Sequence, residues 1–211
     1  MLIGNAFNHA RIMSNEKFFV KPLVELSTDE GHLTEKPISS KLSYDGLFLK
    51  LYRDEVKLPN GHQTYREYIQ HPGAVAIIPM FADGSILMER QYRYPLKKAI
   101  YEIPAGKLEL DEDPLLCAKR ELKEETGFSA NNWVFLGKIH PVISYSTEFI
   151  DIYLATDLVE GEALLDDGEF LDIFRATQDE IAHWMTMGLI TDVKTIISYY
   201  WLKDYLNKNP N

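Results

Sequence analysis

Apolar positions along the chain recur with two different periods, which predict strands in the first part and helices towards the end. A near-continuous apolar run at residues 74–81 is typical of a strand buried on both faces. Leu115, Ala118 and Leu122 instead recur at helical spacing after Pro114. Further strands are predicted at residues 47–53, 85–94, 133–139, 148–155 and 171–174, and amphipathic helices at 177–187 and 192–206. This order predicts an α+β fold in which sheet lies between helices.

The first third of the chain predicts a separate antiparallel β appendage. A strand at 47–53 is followed by the turn Pro59-Asn60-Gly61 and by a returning strand at 62–69. His71-Pro72-Gly73 is a plausible junction. We therefore expect an N-terminal arm and β appendage over residues 1–70 and the main domain over residues 71–211.

Composition and charge exclude several classes of function. The chain has 211 residues and a net charge of −10, which disfavours binding to nucleic acid or to an anionic membrane surface. Its one cysteine, Cys117, lies on the predicted helix and is expected to be a small core residue rather than a nucleophile. No signal peptide or membrane-spanning run is evident, so we expect a cytoplasmic protein.

The helix after Pro114 carries the candidate chemistry. Asp113 suits its N-cap, and Gly127 suits a left-handed C-terminal cap. Glu121 and Glu125 are four residues apart and Glu124 is close to both, so the three carboxylates share one face and repel each other. Mg²⁺ would offset this repulsion, because it takes oxygen ligands from a few carboxylates and leaves positions for water and phosphate.

An acidic helix face can also be simply solvated. In that interpretation Lys119, Arg120 and Lys123 form ion pairs with the glutamates, and the helix has no metal. The residues that flank the helix favour the interpretation as a metal site over the solvated one.

The segment from Gly106 to Phe128 resembles the Nudix hydrolase box. That box consists of a glycine, a glutamate and the run Arg-Glu-aliphatic-any-Glu-Glu-any-Gly-hydrophobic, all at fixed spacing. The seven specified positions are Gly106, Glu112, Arg120, Glu121, Glu124, Glu125 and Gly127. The resemblance implies the Nudix fold, a mixed β-sheet sandwiched between α-helices, and hydrolysis of a nucleoside diphosphate linked to another group. It also implies Mg²⁺, with Mn²⁺ as the other candidate metal.

The resemblance assigns roles within the box. Glu121, Glu125 and the backbone carbonyl of Ala105 are the expected metal ligands, and Glu124 is a weaker candidate as a catalytic residue, ligand or support. The structural positions are Gly106, Glu112, Arg120 and Gly127, and Arg120 is expected to pair with Glu112.

A narrower resemblance covers about residues 47–205 and is to the ADP-ribose pyrophosphatase branch, which cleaves nucleoside diphosphate sugars. It is carried by residues 60–61, 66–67, 71–76, 89–94, 102–109 and 148–155. It implies that Arg93, on a predicted strand, and Glu102, in a predicted loop, line the substrate cleft. It also implies that Arg66 contributes, often across a homodimer. Glu169 is the expected general base, with Asp166 and Asp167 as alternatives.

One departure leaves the preferred sugar open. Many members of the branch have Ser-Pro-Gly shortly before the residue matching Glu148, whereas this chain has Ser144-Tyr145-Ser146 and only Pro141 nearby.

Hydrolysis of a dinucleoside polyphosphate or capped nucleotide is the alternative activity. A module that senses a nucleotide without cleaving it is the alternative of a different class, and the intact acidic set argues against it.

Overall fold

The computed structural model describes residues 30–163, 165, 168 and 170–210 of the chain. The strands are β1 Lys36–Asp45, β2 Lys50–Lys57, β3 Gln63–Gln70, β4 Ala74–Pro79, β5 Ile86–Arg93, β6 Lys98–Glu102, β7 Ala105–Lys107, β8 Ser129–Ile139, β9 Ile150–Val159 and β10 Leu171–Ala176. The helices are α1 Pro114–Thr126, α2 Gln178–Thr186 and α3 Val193–Lys208, and a short 3-10 helix spans Tyr94–Leu96.

The ten strands form three sheets. β1, β2 and β3 make an antiparallel sheet in chain order, which confirms the predicted N-terminal appendage. A second sheet has the order β10-β5-β6 and a third the order β7-β4-β9-β8. The third sheet is mixed, because β4 runs parallel to β9 and antiparallel to β7. The α+β class with mixed sheet and helices is confirmed.

Strand β4 separates the two cores of the molecule, which explains its unbroken apolar sequence. Val75 and Ile77 pack towards α1, in a cluster that includes Cys117 and Leu122. The alternate residues of β4 pack on the other side, in a cluster with residues of β5, α2 and α3. Because successive side chains of a strand point to opposite faces, a strand covered on both faces needs apolar residues throughout.

The predicted helix caps around the box are all present. The Asp113 carboxylate accepts hydrogen bonds from the backbone N–H groups of Leu115 and Leu116 at 3.0 and 3.1 Å. Gly127 has φ +76° and donates its N–H to the carbonyl oxygen of Lys123 at 2.9 Å. The structure therefore fixes both ends of α1 as the sequence predicts.

Two strands were not expected from the sequence, and one changes the position of a predicted site residue. β6 and β7 lie where no strand was predicted, so Glu102 ends strand β6 rather than lying in a loop. The strand forms because β6 pairs with β5, with Glu102 opposite Glu89. Within the described part of the chain, none of the helices has the length and apolar character needed to cross a bilayer.

Candidate active site

Helix α1 presents its glutamates towards the backbone that leads into it. The Glu125 carboxylate is buried and accepts a hydrogen bond from the N–H of Ala105 at 3.2 Å. Glu121 lies against Gly106 so closely that a methyl group on Gly106 would overlap the Glu121 carboxyl group. The structure thus brings Glu121, Glu125 and the Ala105–Gly106 backbone together, as the box predicts. Glycine is required at 106 because no side chain fits between backbone and carboxylate.

Arg120 links the loop after β7 to the helix. Its guanidinium donates to both oxygens of Glu112 at 2.9 Å, so the predicted ion pair is present. The same guanidinium donates to Glu121 at 2.8 Å and to Glu124 at 3.0 Å. The hydrogen bonds from Arg120 lower the pKa of Glu112 to about 2, and the bonds from Glu112 raise the pKa of Arg120. Arg120 therefore offsets part of the repulsion among the glutamates.

The donor chemistry at this place matches a hard divalent cation. Two carboxylates lie against the Ala105–Gly106 backbone, and oxygen ligands are those that Mg²⁺ prefers. Across the described residues, no group of three or more acidic, histidine or cysteine side chains is arranged to hold a metal ion by itself. A cation here would therefore depend on the backbone, water or substrate oxygens as well as on glutamates.

Cys117 takes no part in this chemistry. Its side chain is fully buried beside Ala118 in the core under α1. Burial raises the pKa of the thiol to about 12, so the thiolate that a nucleophile needs is not formed near neutral pH.

An open cleft of about 530 Å³ runs beside the Ala105–Gly106 backbone. Residues that carry its charge or polarity are His71, Arg93, Glu102, Lys107, Glu148, Asp192 and Lys194, and apolar residues such as Leu96, Ile100 and Val193 complete the walls. The cleft thus places three cations and three carboxylates beside the backbone that the α1 glutamates contact. Its volume is that of a small-molecule site.

Arg93 and Glu102, both predicted in the cleft, form a two-pronged ion pair there. The Arg93 Nε and Nη2 atoms donate to the two oxygens of Glu102 at 2.7 and 2.8 Å. The hydrogen bonds from Glu102 raise the pKa of Arg93. The Glu102 side chain is 2% exposed and that of Arg93 is 42% exposed, so the carboxylate is internal and the guanidinium reaches the cleft.

Lys194 was not identified from the sequence, although it belongs to the same group of charges. Its ammonium pairs with Glu102 and, at 3.1 Å, with Asp192, the N-cap residue of α3. Burial by itself lowers the pKa of Lys194, but the two carboxylates outweigh this and hold the pKa above its ordinary value. A lysine in the first turn of an amphipathic helix is usually solvated, so the sequence offered no signal for its burial.

His71 and Lys107 are further cleft residues to which the sequence assigned no role. Nδ1 of His71 accepts the N–H of Gly73 at 3.1 Å, which requires the unprotonated nitrogen. Burial and the positive charge of Lys107 lower the pKa of His71, and the opposing effect of Glu148 is smaller than that of burial. His71 therefore enters the cleft as a neutral group.

Of the predicted site residues outside α1, Arg66 is described and does not line this cleft. Arg66 lies on the appendage, where it pairs with Glu35 at 2.9 and 2.5 Å. Glu169 and its alternatives, Asp166 and Asp167, lie outside the described residues.

Comparisons with known proteins agree with this geometry. A model of the NUDIX domain matches residues 70–196. The methanol dehydrogenase activator of Bacillus methanolicus is 42% identical over 80% of this chain and 92% of its own length. The ADP-ribose pyrophosphatase of Bacillus subtilis is 36% identical over 82% of this chain and 96% of its own length.

A solved structure, the crystal structure of an ADP compounds hydrolase, has a TM-score of 0.75 and 23% identity, and the match covers 84% of this chain and 97% of that one. At that identity the likeness shows the fold. Together with the domain match and the full-length relatives, it gives the conclusion that this chain belongs to the NUDIX domain family and is a Nudix hydrolase.

Proposed function

We propose that the chain hydrolyses the pyrophosphate bond of ADP-ribose or a related nucleoside diphosphate sugar, giving a nucleoside monophosphate and a sugar phosphate. The observation that carries this proposal is the composition of the cleft. Arg93, a cation suited to phosphate oxygens, lines the same cleft as Ala105 and Gly106, against which Glu121 and Glu125 lie. The near full-length ADP-ribose pyrophosphatase relative supports this choice of substrate class.

The proposed metal is Mg²⁺ or Mn²⁺. Glu121, Glu125 and the carbonyl of Ala105 would hold it, and Glu124 is the weaker candidate for a ligand or catalytic residue. When bound, such a cation neutralises phosphate charge and lowers the pKa of a coordinated water. Glu112 and Arg120 would keep the loop and helix in register, and Gly106 and Gly127 would allow the close approaches that this requires.

The chain's own residues would bind and orient the substrate. Arg93 would bind a phosphate oxygen with the part of its guanidinium that faces the cleft. The two hydrogen bonds to Glu102 would fix the orientation of that guanidinium. Glu169 is proposed as the general base, with Asp166 and Asp167 as alternatives. Arg66 is proposed to reach the cleft of a second subunit, since its exposed position on the appendage is compatible with a contact between subunits.

We further propose that the protein is a cytoplasmic homodimer and that residues 1–70 serve dimerisation while residues 71–211 form the catalytic domain. The appendage presents large apolar side chains to solvent, including Ile38 and Tyr44, which are 47% and 58% exposed. Exposed apolar side chains on one small sheet support a partner surface.

The direct test is to incubate the purified protein with ADP-ribose and Mg²⁺ and to measure AMP and ribose phosphate by chromatography. We expect both products in equal amounts and no reaction when EDTA is added. Rates of hydrolysis measured with a panel of nucleoside diphosphate sugars, dinucleoside polyphosphates and capped nucleotides give the substrate preference. Turnover of none of these compounds, with binding of ADP-ribose retained, would replace the enzyme proposal with the nucleotide-sensing one.

A second candidate function follows from the methanol dehydrogenase activator, which is 42% identical over nearly its whole length. This chain would then stimulate an alcohol dehydrogenase. The test is to add the protein to the methanol dehydrogenase of Bacillus methanolicus and to measure the rate of methanol oxidation. An unchanged rate would eliminate this candidate, and an increase that Glu125→Gln abolishes would show that stimulation depends on hydrolysis.

A further inference from the structure

A chain of four charges connects the cleft to the N-terminus of α3. Glu102 is 2% exposed and has two cationic partners, the partly exposed Arg93 and the largely buried Lys194. Oε2 of Glu102 is the oxygen that both cations share. Asp192 then pairs with Lys194 at 3.1 Å. The four charges therefore alternate in sign along this series, from Arg93 to Asp192.

The two cations differ in how much they can respond to a substrate. The Arg93 side chain is 42% exposed and that of Lys194 is 10% exposed. Lys194 is also held in place by its helix, because Asp192 accepts hydrogen bonds from the N–H and hydroxyl of Thr195, at 3.0 and 2.7 Å. That hydroxyl in turn accepts the N–H of Ile103 at 3.0 Å, next to Glu102. Arg93 can turn towards a ligand, whereas Lys194 is fixed.

A phosphate group entering the cleft would compete with Glu102 for Arg93. If Arg93 were the sole partner of Glu102, any shift towards the phosphate would leave a buried carboxylate with less compensation, which is strongly unfavourable. The free energy gained when Arg93 binds phosphate would then be offset by the cost of weakening the ion pair between Arg93 and Glu102. A second, immobile cation on Glu102 removes this conflict.

We propose that Lys194 is a positioning residue that serves as the permanent counter-ion of Glu102, so that Arg93 is available to a substrate phosphate. The inference rests on the proposed function, since it assumes that the ligand of the cleft carries phosphate. Lys194 lines the cleft with a side chain that is only 10% exposed, and its ammonium pairs with carboxylates, so its proposed action is through Glu102 and Arg93.

The first experiment compares Lys194→Met and Lys194→Gln with the wild type in steady-state hydrolysis of ADP-ribose. Both variants remove the charge, and Gln keeps a hydrogen-bond donor. We expect KM to rise about 10-fold, the change that follows from weakening one charge-assisted hydrogen bond, with kcat changed less than about 3-fold. Lys203→Met, at an exposed lysine of the same helix, is the matched control and should leave both constants unchanged. An unchanged KM in both Lys194 variants would overturn the proposal.

The second experiment separates this role from general support of the fold. In a Glu102→Gln background Arg93 loses the carboxylate that accepts its two hydrogen bonds, so Lys194→Gln should raise KM much less than it does in the wild type. This double variant removes one charge of each sign, so it leaves the net charge of the buried group unchanged. An equal effect on KM in both backgrounds would contradict the proposal, because Lys194 would then act independently of Glu102.

A third measurement does not depend on turnover. Titration calorimetry with inorganic pyrophosphate and Mg²⁺ should show about 10-fold weaker binding to Lys194→Gln than to the wild type. If the wild type hydrolyses none of the compounds tested but shows this difference, the proposed function fails and the role of Lys194 stands. If the wild type neither hydrolyses nor binds pyrophosphate, both proposals fall.

Discussion

Gly106 lies where the backbone before α1 meets the Glu121 carboxyl group, and its lack of a side chain allows that contact. Glu125 makes the complementary contact at the neighbouring residue, through the N–H of Ala105. These two contacts place two carboxylates on one short piece of backbone. At the residue scale, the proposed metal site therefore depends on the absence of a side chain at position 106 and on the negative charges at positions 121 and 125.

Glu125→Gln should abolish hydrolysis without unfolding the protein. Gln keeps an oxygen that can accept the Ala105 N–H but removes the negative charge that a metal requires. We expect kcat for ADP-ribose to fall by at least about 100-fold. Removing a residue that only supports a metal ligand already lowers activity by up to about 100-fold, and loss of a direct ligand should cost at least as much. Glu109→Gln, an exposed position before the helix, is the control. Full activity of Glu125→Gln would show that Glu125 is not a ligand.

Gly106→Ala should lower both stability and activity. The new methyl group overlaps the Glu121 carboxyl group, so the helix or the loop must shift, at about 1–3 kcal/mol of unfolding free energy. Combining Gly106→Ala with Glu121→Ala removes the overlap and should restore stability, measured by denaturant unfolding, but not hydrolysis. Stability that stays low in the double variant would assign the cost to the backbone of residue 106 instead.

At the scale of elements, the loop between β7 and α1 is fixed to the helix by one guanidinium. Arg120 holds Glu112 at 2.9 Å through two nitrogens and also contacts Glu121 and Glu124. On the other side of the cleft, the N-terminus of α3 is tied to β6 through Lys194 and Glu102. Ion pairs thus connect α1 to the loop that precedes it and the N-terminus of α3 to strand β6.

The pair between Glu112 and Arg120 predicts a pH dependence of stability. The pKa of Glu112 is lowered from 4.5 to about 2 in the folded protein, so its contribution is fully present above pH 4.5 and is lost as the pH falls towards 2. We expect the unfolding free energy of the wild type to decrease over this range more steeply than that of Glu112→Gln, measured by urea unfolding at several pH values. Identical slopes would show that Glu112 titrates normally.

At the scale of the whole molecule, the N-terminal sheet stands apart from the two cores. Strand β1 is exposed along its entire length, although it carries Ile38, Leu42 and Tyr44. The sheet joins the rest of the chain next to the cleft, where the N–H of His71 donates to the hydroxyl of Thr147 at 2.9 Å. A second copy of the chain is the proposed cover for this surface.

Light scattering after size exclusion should therefore give the mass of a dimer for the wild type. Replacing Ile38 and Tyr44 with lysine adds charge to the proposed contact and should give a monomer with reduced hydrolysis. Tyr200→Lys, at an aromatic residue of α3 that is 60% exposed, is the matched control and should remain dimeric. A monomeric wild type would contradict the proposed role of residues 1–70.

Much of the architecture was accessible because local signals and tertiary packing agree. The caps of α1, the doubly buried strand β4 and the pairing of Arg120 with Glu112 all follow from residue type at fixed spacing. Strands β6 and β7 were missed because they are short and exist only through pairing with β5 and β4. Their sequences contain little alternation that would distinguish them from a loop.

The sequence by itself determined the family, the acidic helix and the residues that border it, because these depend on spacing within about 25 positions of one another. Only the tertiary structure decided that Lys194 is buried against Glu102, 92 residues earlier in the chain, and that Arg93 shares this carboxylate. Burial of a charge is stabilised by partners from distant elements, and no local pattern records which partners folding will bring together.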